Sequence, residues 1–535
     1  MIFHIAKKEF LNNLLSARFV IGFLLCLVLI PFSILINVDD YRDQANQYRL
    51  DQAAAEKSLK EIRVYSALRP QIIFAPEPLG IFGKGISAQV GNKVWIHLGE
   101  MPLLAEGIAA TRDNRFLASF FSIDFVDIAA IIFSLLALLF SFDALTREKE
   151  NGTLRLQMAN SLSRSKLLAG KVVGILMTLL PILVFCFLLG SVVILLSGDL
   201  SFTNSEWGRL AALAFASLIY LAVFIFIGLL VSSRTKSSVT SLVLCLFLWV
   251  LLVFIVPNLS SYFAESFVGI QSRDNLDRVL NDFDRSTLER IAVVEKNLPR
   301  PDWQMSWYMS SAEDGYRELY GLSASYFEWE RQRASAVEPM RIDNADKKWG
   351  PQRAYLDSLD RQARAADFMA MISPAGIFRI IASASCGTDR ATHQKRMDEV
   401  RRYRETFVRY LQGKNIFAST AYITPTPPSA FRTADALVTA RTGGKFKSVK
   451  EYDDWASNQK DFRARWAVLG TVKLPNDRPD GFPYLTVDDM PRFTGRAVTV
   501  FGALEGSILR LGLILFESLI LFALAYIAFI KYDVR

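Results

Sequence analysis

The stretch Phe142–Val173 reads FDALTREKENGTLRLQMANSLSRSKLLAGKVV, and its reading decides the fold. It joins two apolar runs, Ile128–Phe142 and Val172–Ser197. Its cations are Arg147, Lys149, Arg155, Arg164, Lys166 and Lys171, against only Glu148 and Glu150 after Asp143. A short, strongly cationic connection between two membrane spans belongs on the cytoplasmic side. Gly152 interrupts the helical pattern, and Thr153 is placed to cap a new short helix. Leu154, Leu156 and Met158 alternate, so this helix is less cleanly amphipathic than its neighbours. Ser161 or Ser163 restarts the chain as a helix that feeds the next span.

N-terminal to this connection, residues 1–17 interleave Ile2, Phe3, Ile5, Phe10, Leu11, Leu14 and Leu15 with Lys7, Lys8, Asn12 and Asn13. Wound as a helix they present an apolar face beside a cationic one, suited to the headgroup layer. The following run, Phe19–Asn37, is long enough to span, and no A-x-A site directly follows it. It is therefore read as a retained first span (18–37) rather than a cleaved signal peptide. Tyr41–Leu68 reads as a charged helix continuing that span out of the membrane. A Pro- and Gly-rich piece with Pro70, Pro76, Pro78, Gly80, Gly83 and Gly85 follows. The whole segment 38–125, including the apolar lead-in Phe116–Phe125, is expected outside.

The second span is expected at 126–143, bracketed by Asp127 and Asp143, and the connection at 144–171. The third, 172–197, contains Pro181, which should kink rather than end it. A short external loop with Asp199, Glu206 and Trp207 leads to the fourth, 210–233. After the turn with Arg234 and Lys236 comes the fifth, 239–257, ending at Pro257. From 258 to 506 no apolar run is long enough to span, and by parity this large segment lies outside. Helical spacing recurs at Leu276, Val279, Leu280 and Phe283, over Gln352–Met371, and at Met397, Val400, Phe407 and Leu411. Residues 415–500 are expected to mix short strands with loops. The last span lies within 507–531.

Orientation follows from counting charge. The expected cytoplasmic pieces hold thirteen cations, adding Lys7, Lys8, Arg18, Arg234, Lys236, Lys531 and Arg535 to the six above, against Arg209 in the short external loop. The expected fold class is thus an α-helical polytopic membrane protein. It has six transmembrane helices, an N-terminal interfacial helix, a large mainly helical (α+β) extracytoplasmic domain and both termini in the cytoplasm. With 51% hydrophobic residues and 39 Phe in a 535-residue chain, the net charge of +8 reflects orientation. The basic residues are dispersed and no nucleic-acid motif accompanies them.

Catalytic signatures are missing from the sequence. There is no G-x-x-x-x-G-K-[ST] loop, no G-x-S-x-G and no H-E-x-x-H. His4, His97 and His393 are isolated, without metal-ligand spacing. Cys26, Cys186 and Cys245 fall within spans and Cys386 stands alone outside, so no disulfide framework exists. Glu517 is different in kind. An ionisable group inside a span is costly and faces a bundle interior or water. It belongs either to a translocation path or subunit interface, or to a structural hydrogen bond with a neighbouring span.

A span ending in mixed charges, then Glu150-Asn151-Gly152-Thr153-Leu154, then Ser163-Arg164-Ser165-Lys166 and Gly170-Lys171, resembles the permeases of ABC type-two exporters. The turn Arg234-Thr235-Lys236, Trp249 within its span and Pro257 at the exit are similar to the family pattern. SPAGIFRIIASASCGTD (373–389) and Met490-Pro491-Arg492-Phe493 resemble a subgroup with large periplasmic insertions. The resemblance implies an interfacial elbow helix at 1–17 and a coupling helix in the 144–171 connection. That connection would dock on a separate ATPase through Glu148, Glu150, Gly152, Thr153, Leu154, Leu156 and Arg164, with the two leucines as apolar knobs. It further implies two ATPase copies, a second permease chain (the same or a different one), contact with membrane lipids and with a periplasmic partner, and a bacterial inner membrane. ATP and Mg would sit on the ATPase, with no cofactor on this chain. The rival reading is a non-transporting membrane receptor or scaffold with a periplasmic sensor domain, which leaves the motif-bearing connection unexplained.

Overall fold

A computed structural model of the chain describes residues 2–103, 124–159, 163–196, 202–302, 308–311, 317–474, 481–495 and 498–532. Among these, six helices are long and apolar enough to cross a membrane. Helix α1 (Ile2–Leu14) forms where the interfacial helix is expected, and α2 (Ala17–Lys60) carries the first apolar stretch long enough to span. Its 44 residues make a rod of about 66 Å, against a hydrocarbon core of about 30 Å. The charged half from Asp39 onward therefore projects as a continuous stalk, as its composition suggested, and ends at Lys60. Strands β1 (Gln71–Ile73) and β2 (Lys93–Trp95) then form an antiparallel pair.

The second span is built from α3 (Phe125–Ile128), a π-helical turn (Ala129–Phe133) and α4 (Ser134–Ser141). The connection folds as α5 (Thr146–Glu150) and α6 (Thr153–Ala159). The third and fourth spans are α7 (Arg164–Leu196), which runs on through Pro181, and α8 (Asn204–Arg234). The fifth span does not stop at Pro257. Helix α9 (Ser238–Val250) passes through a π turn (Leu251–Ile255) into α10 (Val256–Phe267), where Pro257 occupies the first turn. Within this continuous run Pro257 has no N–H to offer Leu252 O, five residues back in the π turn, and that oxygen accepts from Ser373 Oγ instead.

The part between the fifth and last spans is built on two long helices, α11 (Arg273–Asn297) and α12 (Ala324–Ala370). The latter starts far upstream of the expected Gln352 and continues through Pro339 and Pro351. The hairpin β3 (Tyr308–Ser311) and β4 (Arg317–Tyr320) lies between them. Helix α13 (Pro374–Cys386) and α14 (Arg390–Gly413) follow. On α14 the periodic residues Met397, Val400, Phe407 and Leu411 are all buried.

The strands expected within 415–500 are not found among the described residues. That region folds as α15 (Ala434–Arg441), α16 (Val449–Ser457), α17 (Phe462–Leu469) and single 3₁₀ turns. The side chains of Thr433, Ser448 and Asp461 accept hydrogen bonds from first-turn N–H groups. Those caps outweigh the Gly- and aromatic-rich composition on which the strand reading rested. Helices α18 (Val500–Leu504) and α19 (Ile508–Ile530) close the chain, α19 being the last span. The expected lead-in Phe116–Phe125, apart from its last two residues, and Ser161 and Asp199 lie outside the described residues.

Three apolar cores result. The first unites the spans; the second joins the end of α2 with β1, β2, α12 and α14; a small third one holds α15–α17 together. Helix α13 belongs to the first. At 13 residues, about 20 Å, it is too short to span. Yet Phe378 stacks on Tyr220 of α8 with ring centroids 4.5 Å apart, and Ile377, Ile381 and Cys386 are buried among span residues. The search for spans passes over this element because it is short.

Candidate functional site

At the cationic end of the bundle, six helix ends converge on the 142–171 connection. The centre is Lys171, in the first turns of α7 and 1% exposed. Its Nζ lies 2.8 Å from Glu9 Oε1 on α1 and 2.8 Å from Glu148 Oε1 on α5. A buried ammonium is tolerable only when paired and hydrogen-bonded, and here two carboxylates from different elements meet it. The approach of α1 depends on small residues on α7. A Cβ on Gly170 would stand 2.7 Å from Ile5 Cβ, and one on Gly174 only 2.6 Å from Glu9 Cβ.

Three consecutive charges on α5 fan out, because successive helical residues turn by about 100°. Glu148 points to Lys171 and also accepts from Gln157 Nε2 at 3.0 Å. Lys149 donates to the carbonyl oxygens of Ser232 (2.9 Å), Ser233 (2.7 Å) and Thr235 (3.1 Å). A cation there complements the C-terminal end of α8. Glu150 accepts from Ser238 N at 2.8 Å and from Ser238 Oγ at 2.5 Å, so it caps the start of α9. Ser232 Oγ in turn accepts from Leu145 N (3.0 Å) and Thr146 N (3.1 Å).

The outer charges complete the ties. Arg18, at the start of α2, pairs with Asp143 at 3.0 Å and donates to Leu139 O at 3.1 Å. Arg164 donates to the carbonyl oxygens of Phe529 (3.3 Å), Ile530 and Tyr532 (3.1 Å), closing the C-terminal end of α19.

The residues singled out in the sequence therefore divide. Glu148, Glu150 and Arg164 each tie the connection to a neighbouring helix end, Glu150 being exposed and the other two half-buried. Gly152 sits at φ +70° with no atom within 4 Å of a Cβ position, so backbone conformation requires it there, not crowding. Thr153 opens α6, its hydroxyl donating to Glu148 O at 3.4 Å. Leu154 does not project outward: it is 2% exposed and packs in the bundle core, because α6 folds back against the spans. Leu156 is 68% exposed. Sequence reasoning took Lys171 as a topogenic charge and part of the Gly170-Lys171 motif, assigned it no pairing, and passed over Glu9. The available signal was a lysine between Gly170 and Gly174, beyond the charged first turn of α7 and within its apolar part.

Glu517 lies in α19, which runs along α8. Its carboxylate is half-buried, and Oε2 is shielded from solvent with no hydrogen-bond partner. No cluster of metal-binding residues occurs among the described residues.

Six apolar helices tied through one charged connection define a multi-pass helical membrane protein. Residues 3–423 match the model of the ABC-2 family transporter proteins, and the chain belongs to that family. It is a permease, the membrane subunit of an ABC transporter, a class that works with an ABC ATPase subunit. No curated protein matches the chain.

Proposed function

We propose that this permease is the membrane half of an exporter in which ATP binding on two separate ATPase copies drives the 142–171 connection. It works as a dimer with a second permease chain. Closure of the ATPase subunits displaces α5 and α6, and the spans shift between two arrangements that open a path at the dimer interface to opposite sides. ATP and Mg stay on the ATPase. The cationic end and both termini lie in the cytoplasm of a bacterial cell, and the segment between the fifth and last spans lies outside its inner membrane, where it handles substrate or a periplasmic partner.

One observation carries this reading: the connection is fastened to the ends of α1, α2, α7, α8, α9 and α19 at once. A load applied at its surface reaches each of those helices through a direct ion pair or hydrogen bond. Leu156 supplies the apolar contact on that surface. Leu156→Asp should release the ATPase encoded beside this chain, since it removes apolar burial and strands a charge in the interface, a loss of several kcal/mol. The measurement is co-purification in detergent. ATPase retained at wild-type stoichiometry moves the dock elsewhere, and a wild type that binds no ATPase favours a receptor.

A further inference from the structure

At the end of the bundle opposite Lys171, a cavity of about 900 Å³ opens between the stalk of α2, the segment Gln71–Pro78, the first turns of α8, helix α14 and the residues Met490, Arg492, Phe493, Gly495 and Val498. Two independent features face it. The first is a sheet edge. In the β1–β2 pair, Phe74 N donates to Asn92 O at 2.8 Å and Ile96 N donates to Pro70 O at 2.9 Å, with Ile72 opposite Val94. Even-numbered residues thus bond to β2. The N–H and C=O groups of Gln71, Ile73 and Ala75 point the other way, and no described residue pairs with them.

The second feature is a pair of guanidinium groups that meet at one carboxylate. Glu77 lies 3.4 Å from Arg209 and also pairs with Arg396. Arg209 is 2% exposed, and its Nε has no hydrogen-bond partner. Arg492 lines the same cavity. Lys60 and the carboxylates Glu56, Glu206 and Glu399 line it as well, and Glu206 is engaged in capping α8.

We propose that this cavity binds an extended peptide as a third strand on β1, running parallel to it, with the peptide's C-terminal carboxylate at the Arg209–Arg396 pair. Strand addition of this kind draws affinity from main-chain hydrogen bonds. The direction follows from the chain: β1 runs toward Glu77, and four residues from Ile73 to Glu77 cover about 13 Å. Phe74 makes the last bond to β2 and Pro78 opens a 3₁₀ turn, so the extended run, and with it the ladder, ends before the arginines and leaves the carboxylate to them. Phe74, Tyr403 and Phe493 supply apolar wall for the side chains. The inference does not rest on the direction of transport or on ATP coupling.

The test uses the full chain in detergent and fluorescence anisotropy with two labelled pools of random octapeptides, one with free C-terminal carboxylates and one amidated. The free pool should bind, and amidation should weaken binding by about tenfold, the loss of a charge-assisted contact. Ala75→Pro removes an edge N–H that the fold does not use, at a position already held extended by Pro76. That change and Arg492→Met should each weaken binding several-fold, while Arg285→Met on α11 should not. Equal binding of both pools, no saturable binding of either, or indifference to Ala75→Pro and Arg492→Met would each overturn the proposal. So would binding of dodecyl phosphate, sensitive to Arg492→Met, in the absence of peptide binding, which marks a lipid-headgroup site.

Discussion

Lys171 shows how one side chain can hold three elements together at a membrane boundary. Replacing it with Met keeps the stem but leaves Glu9 and Glu148 facing each other without a cation. Breaking a buried pair in this way costs about 3–5 kcal/mol, because uncompensated charge remains. Lys171→Met should therefore lower the melting temperature in detergent markedly, and adding Glu9→Gln and Glu148→Gln should recover much of the loss. If the triple variant melts no higher than the single one, the damage comes from the lost amine's packing and not from stranded carboxylates. A second residue reports on the part between the fifth and last spans. Burial, then Arg396 and Arg401, lower the pKa of His393 below its ordinary 6.5. A base lowered in the folded state adds nothing above pH 6.5. As pH falls below that value the unfolded chain takes the proton more readily, and stability is lost through the lowered folded pKa. The melting temperature of His393→Gln should thus gain on the wild type at pH 5 relative to pH 7.5.

At the scale of elements, what the sequence disclosed depended on repetition. Spans and amphipathic helices announce themselves because apolar residues recur, and α2, α7, α8, α14 and α19 were legible for that reason. The charge ties were not, since pairings such as Lys171–Glu9 and Arg164–Tyr532 join residues distant in the chain. Leu154 and Leu156 look alike in sequence and differ in burial only because α6 folds back on the bundle. Helix α13 was hidden by its length, and it depends on one tight position. A Cβ on Gly376 would meet Ala370 O at 2.1 Å, whereas Gly350, in the middle of α12, has nothing within 4 Å. Gly376→Ala should lower stability by about 1–3 kcal/mol or more, an overpacking cost at a backbone atom that cannot yield. Gly350→Ala should change stability by no more than about 1 kcal/mol, since the gain in helix propensity is opposed by its Cβ meeting the ring of Pro351. Paired melting curves decide this, and a harmless Gly376→Ala would mean that α13 sits loosely against the end of α12.

At the scale of the molecule, the arrangement proposed across the membrane rests on charge and parity. The cationic end gathers Arg18, Lys149, Arg164 and Lys171, and the positive-inside rule assigns such an end to the cytoplasm. Two spans then separate Ser163 from Thr235, and five separate the N-terminus from the part containing Asp435. Cysteines introduced singly at Ser163, Asn204, Thr235 and Asp435 test every step. All four native cysteines are buried, so the background should be low. Ser163, Asn204 and Asp435 are exposed and Thr235 is half-buried. A membrane-impermeant maleimide should reach positions 204 and 435 in intact cells, and positions 163 and 235 only after the membrane is opened. Position 435 decides most. Labelling there only after permeabilisation would place the whole segment between the fifth and last spans on the ATPase side. The fifth helical run, continuous through its π turn to Phe267, would then have to enter and leave the membrane on one side, and the cavity beside β1 would face the cytoplasm.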